Sequence, residues 1–304
     1  MSEQAAAAPV PARRLAVRAD LVVPWVVRLL WVAMPFTAGP VLGDALAGAS
    51  RPVQLVASSG LWLGWSAAMV ATAVALPVSL TVLRTLAPAA TVLTLAAAAG
   101  GHPSALAVGW SVVTLGWAFA PAMGALCVNG PAYPNERRFP LRPPGALLAG
   151  PLVLAWSLAL AGVAAGPLLL AARQWVLGAV LTAVGLPLAY VLLRATHDLS
   201  RRWLVLVPAG LVVHDPLTIV DPILLPRRLL ARIGPALAGT DARDLTQKAP
   251  GLALQIDLQE DVELALVRPA RRLGEAVKVR HMLVTPTRPG AFLEAARARR
   301  LPVR

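Results

Sequence analysis

Residues 174–203 read QWVLGAVLTAVGLPLAYVLLRATHDLSRRW, and the rest of the chain is understood from this stretch. The run Trp175–Leu193 carries no charge, and Arg194, His197, Asp198, Arg201 and Arg202 follow at once. A helix needs about 20 predominantly apolar residues to cross the hydrocarbon core of a bilayer. A basic collar behind such a run marks the headgroup zone on the cytoplasmic side. Residues 174–203 therefore read as a last membrane span, with a water-facing tail after it.

The distribution of charge on either side agrees. From Leu21 to Arg194 only ten Asp, Glu, Arg or Lys residues occur, whereas the tail from Ala195 holds 17 basic and 11 acidic ones. Over all 304 residues 57% are hydrophobic and 14% charged, with a mean hydropathy of +0.67. Soluble domains carry about 25% charge. The expected fold class is an α-helical polytopic membrane bundle of about six transmembrane helices followed by a small cytoplasmic β-rich domain. The expected division is a disordered basic N-terminus over 1–20, a transmembrane domain over 21–194 and the β domain over 195–304.

Working outward, apolar runs place the other spans near 21–43, 57–79, 82–100, 104–127 and 146–171. Residues 129–145 form the longest internal loop, and a short turn is expected near Arg84. Arginines accumulate in alternate connections: Arg13, Arg14 and Arg18, then Arg84, then Arg137, Arg138 and Arg142, then Arg194, Arg201 and Arg202. The other side has Arg51 and Arg173. By the positive-inside rule this implies a multi-pass plasma-membrane protein with both termini cytoplasmic.

The net charge of +13 does not imply nucleic acid, because the arginines flank spans, where anionic lipid accounts for them. The single cysteine, Cys127, excludes an intrachain disulfide and a Cys-based zinc site. No phosphate-binding GxxxxGK[ST], GxSxG nucleophile elbow or HExxH zinc motif occurs. His214-Asp215 and Glu260-Asp261 are the acid or imidazole clusters, and both suit turns. No catalytic residue, metal or other cofactor is expected.

Three intramembrane residues stand out. Arg28 lies about seven residues into the first span; it either snorkels to the headgroups or serves as a buried functional cation. Pro77 and Pro187 occupy matched positions in a gapless alignment of 65–84 on 175–194, identical at nine of twenty residues. A parallel hairpin repeat of this kind, interrupted by prolines, would suit a small-solute or lipid transporter. Against it, the spans lack the Asp, Glu, Asn, Gln and His of ion-coupled sites. Gly60/Gly64 and Gly162/Gly166 form two GxxxG pairs that permit close helix approach. Trp62 and Trp65 are expected near the outer interface.

In the tail, Leu204–Pro208 and Leu211–His214 flank Ala209-Gly210 as a hairpin. Leu252–Leu258 and Val262–Leu266 alternate with period two and are expected to be separated by a turn at Gln259-Glu260-Asp261. Val277–Val284 is a third such strand. Pro289 opens a final helix whose Phe292 is expected to plug the sheet. The segments WLVLVPAGLVV from Trp203 and TPTRPGAFL from Thr285 resemble a bacterial pleckstrin-homology-like domain. The resemblance covers about 100 residues and implies binding of lipid, peptide or another copy rather than catalysis. Basic pairs at Arg227, Arg228, Arg271 and Arg272 are the candidate lipid- or partner-binding residues. The expected function is a non-enzymatic membrane scaffold or regulator that offers this domain to a partner protein, to a second copy or to inner-leaflet lipid.

Overall fold

The computed structural model describes residues 10–237, 239–268 and 271–304, with side chains from residue 22 onward except at 268 and 271–274. The expected character of residues 1–9 lies outside the described residues, but Val10–Thr37 is already helix α1. The bundle continues with α2 (Gly39–Leu46), α3 (Arg51–Ala73), α4 (Pro77–Ala99), α5 (Ala105–Ala118), α6 (Pro121–Asn129), the single turn α7 (Gly145–Leu148), α8 (Pro151–Ala171) and α9 (Trp175–Leu199). Among the described residues, five segments are long and apolar enough to cross a membrane, six if α5 and α6 form one span bent by 52°. The bend falls at Phe119-Ala120, just before Pro121, which opens α6 because its missing N–H is not needed there. Only 11–28% of each of the five single spans is buried within the protein, and residues such as Val176, Phe36 and Leu63 point outward. That is the surface of a multi-pass membrane bundle.

The second span ends sooner than its hydropathy suggests. Residues 74–76 break the chain, and Pro77 starts α4. The turn therefore precedes Arg84, which stands inside α4 instead of marking a loop. The stretches aligned as a repeat also fold differently. Residues 65–84 are helix, break and helix, whereas 175–194 are one unbroken helix with Pro187 inside it. Pro77 and Pro187 do not hold equivalent positions.

Indoles hold α1 in place. Pro35 has no N–H, so the carbonyl of Trp31 one turn earlier lacks its helical donor. Trp65 Nε1 supplies one at 2.7 Å, and Trp110 Nε1 bonds the adjacent Leu30 carbonyl at 2.9 Å. Trp62 and Trp65 thus sit well along α3, not at its outer end, and meet edge to face at 5.4 Å. Replacing Trp65 by Phe leaves the Trp31 carbonyl unsatisfied and is expected to cost about 1 kcal/mol. Thermal unfolding in detergent checks this, with W62F, at an exposed ring, causing no comparable loss.

The β domain has two four-stranded sheets. One runs β1 (Arg137–Pro140), β2 (Trp203–Val207), β3 (Gly210–His214), β4 (Ile223–Pro226). The other has the order β5-β7-β8-β6, with β5 at Leu230–Pro235, β6 at Arg243–Asp244, β7 at Leu254–Arg268 and β8 at Arg271–Val284. Helix α10 (Pro289–Ala298) packs Phe292 into the core, fully buried and edge to face with Phe139 at 5.2 Å. Among the described residues the strand ladders are antiparallel except the two-residue β6–β8 contact, and an isolated parallel bridge joins Ile233 to Val303. The hairpin turns at Gly210, where any Cβ would strike the carbonyl of Leu225.

Two features depart from expectation. The charged run Gln259-Glu260-Asp261 does not turn the chain. It lies exposed in a bulge within the single strand β7, where the register against β8 shifts between Asp257 and Val262. More consequentially, β1 comes from the loop between α6 and α8. Arg137 to Pro140 pair antiparallel with Leu206 to Trp203, and Phe139 and Leu141 join the β-domain core. The β domain is therefore not confined to the tail.

Candidate functional site

The site with the most chemistry lies where β1 stitches the two halves together. Asn129, at the end of α6, accepts from the Arg138 N–H and donates to the Arg138 carbonyl, both at 2.8 Å. This clamp sets the first residues of β1. On the β side, Arg202 donates Nε to Asp215 Oδ1 and Nη2 to Asp215 Oδ2, each at 2.7 Å. Its Nη1 reaches the Arg142 carbonyl at 2.9 Å. Both charges are buried, so the fork geometry and the third bond must offset their desolvation. Val128, Trp203 and Val205 form a small apolar seam between α6 and β2. Thr81 of α4 meets His197 Nδ1 at 2.8 Å and Ser200 Oγ at 3.2 Å, pinning the end of α9.

Around this junction lie a cavity of about 300 Å³ and a cluster of arginines. The cavity is lined by Ala122, Ala125, Leu126 and Asn129 of α6, by β1 with Arg137 and Arg138, and by Arg288 and Ala291 at the start of α10. Arg138 pairs with Glu136 at 3.3 Å, and its guanidinium lies 5.4 Å from the centre of the Trp203 ring. Arg137 has no carboxylate partner among the described residues and lies over Phe139 at 5.3 Å. Arg299 donates to the Leu206 carbonyl at 2.8 Å. Burial first, then the charges of Arg137 and Arg227, push the Arg299 pKa below the ordinary arginine value. Five guanidiniums thus border one region at the end of the bundle.

The residues singled out in the sequence fare differently. Arg227 is a tie, with Nε on the Pro208 carbonyl at 2.8 Å and Nη1 on the Arg299 carbonyl at 2.9 Å. Arg228 is exposed in the following 3-10 turn. Arg271 and Arg272 open β8, and their side chains lie outside the described residues. Arg28 donates Nη2 to the Thr72 carbonyl at 2.9 Å and lies over Trp25 at 4.5 Å, while its Nε has no partner. It caps the end of α3, where the last carbonyls lack helical donors. Arg84 is the intramembrane cation the sequence concealed. It lies between α4 and α6, its guanidinium 5.4 Å from the centre of the Phe119 ring and its Nε unpartnered. Arg288, at the start of α10, meets residues of α6 and β1 around the cavity that are far away in sequence, and Pro289 as a helix start is the local signal for it.

His214 stacks on Trp203 with ring centroids 4.9 Å apart. Burial, then Arg201, lower its pKa from 6.5; Asp215 opposes this and Arg138 adds to it. A lowered folded-state pKa means that the unfolded chain binds more protons below about pH 6.5. The stability from this site is complete above that pH and is lost as pH falls through the folded-state pKa. Replacing His214 by Phe is therefore expected to flatten the acid limb of the melting temperature between about pH 7 and pH 5.

Among the described residues, no group of three His, Cys, Asp or Glu side chains is placed to hold a metal ion. No protein-family model matches the chain, and neither curated proteins nor solved structures give a significant match.

Proposed function

We propose that this protein is a non-catalytic membrane scaffold or regulator, whose pleckstrin-homology-like β domain is held at the inner leaflet for a partner protein or for lipid. The observation that carries this reading is the stitched junction. A strand from between two spans completes the β domain, and the buried Arg202–Asp215 pair locks it to the carbonyl of Arg142. A domain so fixed presents the same surface to the membrane plane at all times. Catalysis would not require that, whereas docking gains from it through a smaller ordering cost.

The surface offered to a protein is β4, an edge strand of its sheet with Leu224 exposed, next to exposed Val220. Open edges recruit extended segments through main-chain hydrogen bonds. The two sheets closed by α10 support the pleckstrin-homology-like assignment in outline. The arginine-rich side is taken as cytoplasmic by the positive-inside rule.

A transporter reading draws on the bent α5–α6 pair and the cation Arg84 beside it. Near Pro187, however, Gly162 and Gly185 bring the backbones of α8 and α9 into contact, which leaves no solute path between those helices.

The test uses the full chain, because an isolated 195–304 fragment would lack β1. A photo-crosslinking residue at Leu224 or Val220 should yield one discrete protein adduct in cells, absent when the probe sits at lipid-facing Val176. Equal adduct patterns at the three positions would overturn the scaffold reading. An impermeant thiol reagent that labels R228C in intact cells would overturn the orientation.

A further inference from the structure

We propose that Arg84 and the first turn of α6 form a binding site for one small monovalent anion of the halide class, set at the break between α5 and α6. The site does not depend on the scaffold reading. Its two halves meet at one level of the bundle. A Cβ on Gly130 would strike the Ala75 carbonyl, so the end of α6 abuts the start of α4. Arg84 and Pro121 are equally far from that contact along their helices, roughly 13 Å at 1.5 Å per residue. The side-chain positions agree. The guanidinium lies 5.4 Å from the centre of the Phe119 ring, at the break, and Nη2 lies 3.4 Å from the place a Cβ on Gly124 would take.

Both halves offer positive charge that no protein group answers. A guanidinium keeps its proton inside a protein. Arg84 Nε is shut off from solvent and has no hydrogen-bond partner. Among the described residues no carboxylate pairs with Arg84, and no carbonyl, those ending α5 included, accepts from it. The start of α6 is equally bare. Pro121 has no N–H, no side chain caps the turn, and the Ala122 N–H has no acceptor. A helix start carries partial positive charge, and interrupted membrane helices aim such starts at anionic groups. Charged residues inside spans are paired with protein groups or serve a ligand or ion. Arg84 lacks the first kind of partner.

The surroundings set the charge and size of the ligand. One guanidinium and one helix start balance a single negative charge. Water would satisfy the N–H groups and leave the charge unanswered. A phosphate or sulfate brings more acceptor atoms than the few donors here can satisfy, and burying the remainder is costly. A halide needs few donors and tolerates the apolar neighbours Leu80 and Phe119. The missing side chain at Gly124 leaves Nη2 open toward α6. Arg84 as a whole is half-buried, so the site can fill and empty.

The test uses the full-length protein in mild detergent, washed into sodium gluconate and titrated with sodium chloride. Chloride NMR should show saturable excess line broadening that bromide competes away, and chloride should raise the melting temperature above that in gluconate. R84Q should weaken the apparent affinity by about tenfold or more. G124A, which places a methyl group against Nη2, should weaken it as well, and R51Q at the far end of the bundle should not. Melting temperatures identify any variant that fails to fold. Should R84Q be one of them, G124A and the anomalous peak of bromide in soaked crystals decide, the peak being expected beside the Arg84 guanidinium. No saturable broadening, affinity unchanged in R84Q, or a bromide peak elsewhere overturns the proposal. Displacement of chloride by inorganic phosphate or short-chain phosphatidylglycerol at lower concentration than by bromide would mean a phosphate-bearing ligand and also overturns it. Crosslinking at β4 is read separately, so this site and the scaffold reading can each fail alone.

Discussion

Replacing Asp215 by alanine is expected to destabilise the β domain strongly and to loosen its attachment to the bundle. The carboxylate is fully buried and accepts two hydrogen bonds from Arg202, which is itself 1% exposed. It also accepts from the Leu217 N–H at 3.2 Å, shaping the turn before β4. Removing it strands a guanidinium in the interior. Breaking one side of a buried pair costs about 3–5 kcal/mol. For a chain of this size that corresponds to a fall in melting temperature of roughly 10 °C. Tryptophan fluorescence reports it directly, since Trp203 opens β2 beside Arg202. The converse change, apolar residues at both positions, should recover part of the loss, because a buried pair contributes little beyond an apolar packing of equal volume. Full recovery is not expected, since the Arg142 carbonyl then loses its donor.

The second large effect is expected from Gly162→Leu in α8. A Cβ at Gly162 would stand 2.5 Å from the Gly185 carbonyl oxygen, and one at Gly185 would stand 2.7 Å from the Gly162 oxygen. Helices α8 and α9 meet backbone to backbone, with further close approaches of Gly166 to Thr182 and of Gly178 to Leu170. Neither backbone can yield without separating the hairpin, so the cost should reach about 3 kcal/mol or more. The readout is the yield of folded protein and its melting temperature in detergent. Gly60→Leu is the control, since a Cβ there meets nothing within 4 Å. Equal losses from both substitutions would contradict this account of the packing. Of the two GxxxG pairs, structure distinguishes what sequence could not: Gly162/Gly166 is a contact face and Gly60 is open.

Long-period features were legible in the sequence because bilayer and water impose different compositions. The uncharged run before Arg194, the hairpin at Gly210, the strands around Ile256 and Val279 and the plug Phe292 all follow from periodicity or turn chemistry. The features that escaped are non-local. Nothing around Arg137–Pro140 announces a strand, because its partner Trp203–Val207 is some 65 residues away and supplies the pairing. Hydropathy runs smoothly through 74–76, where the geometry imposed by Pro77 ends α3, so the sequence alone places the turn near Arg84, which stands inside α4. The repeat failed for the same reason, since identical residues at Pro77 and Pro187 sit in different packing. The candidate site was half visible. Arg137 and Arg138 stood out as charge near a span, but their convergence with Arg288 and Arg299 depends on the β1–β2 pairing and on where α10 docks.

Welding of the β domain to the membrane bundle as one body is the role of β1 in this fold. It is tested most directly by the distance between spin labels at exposed Val176 and exposed Arg228, in a background with Cys127 replaced by Ala. The account predicts a single narrow distribution that broadens when Asp215 is replaced by alanine. A broad distribution in the otherwise unmodified protein would mean a tethered, freely tumbling tail and would contradict it.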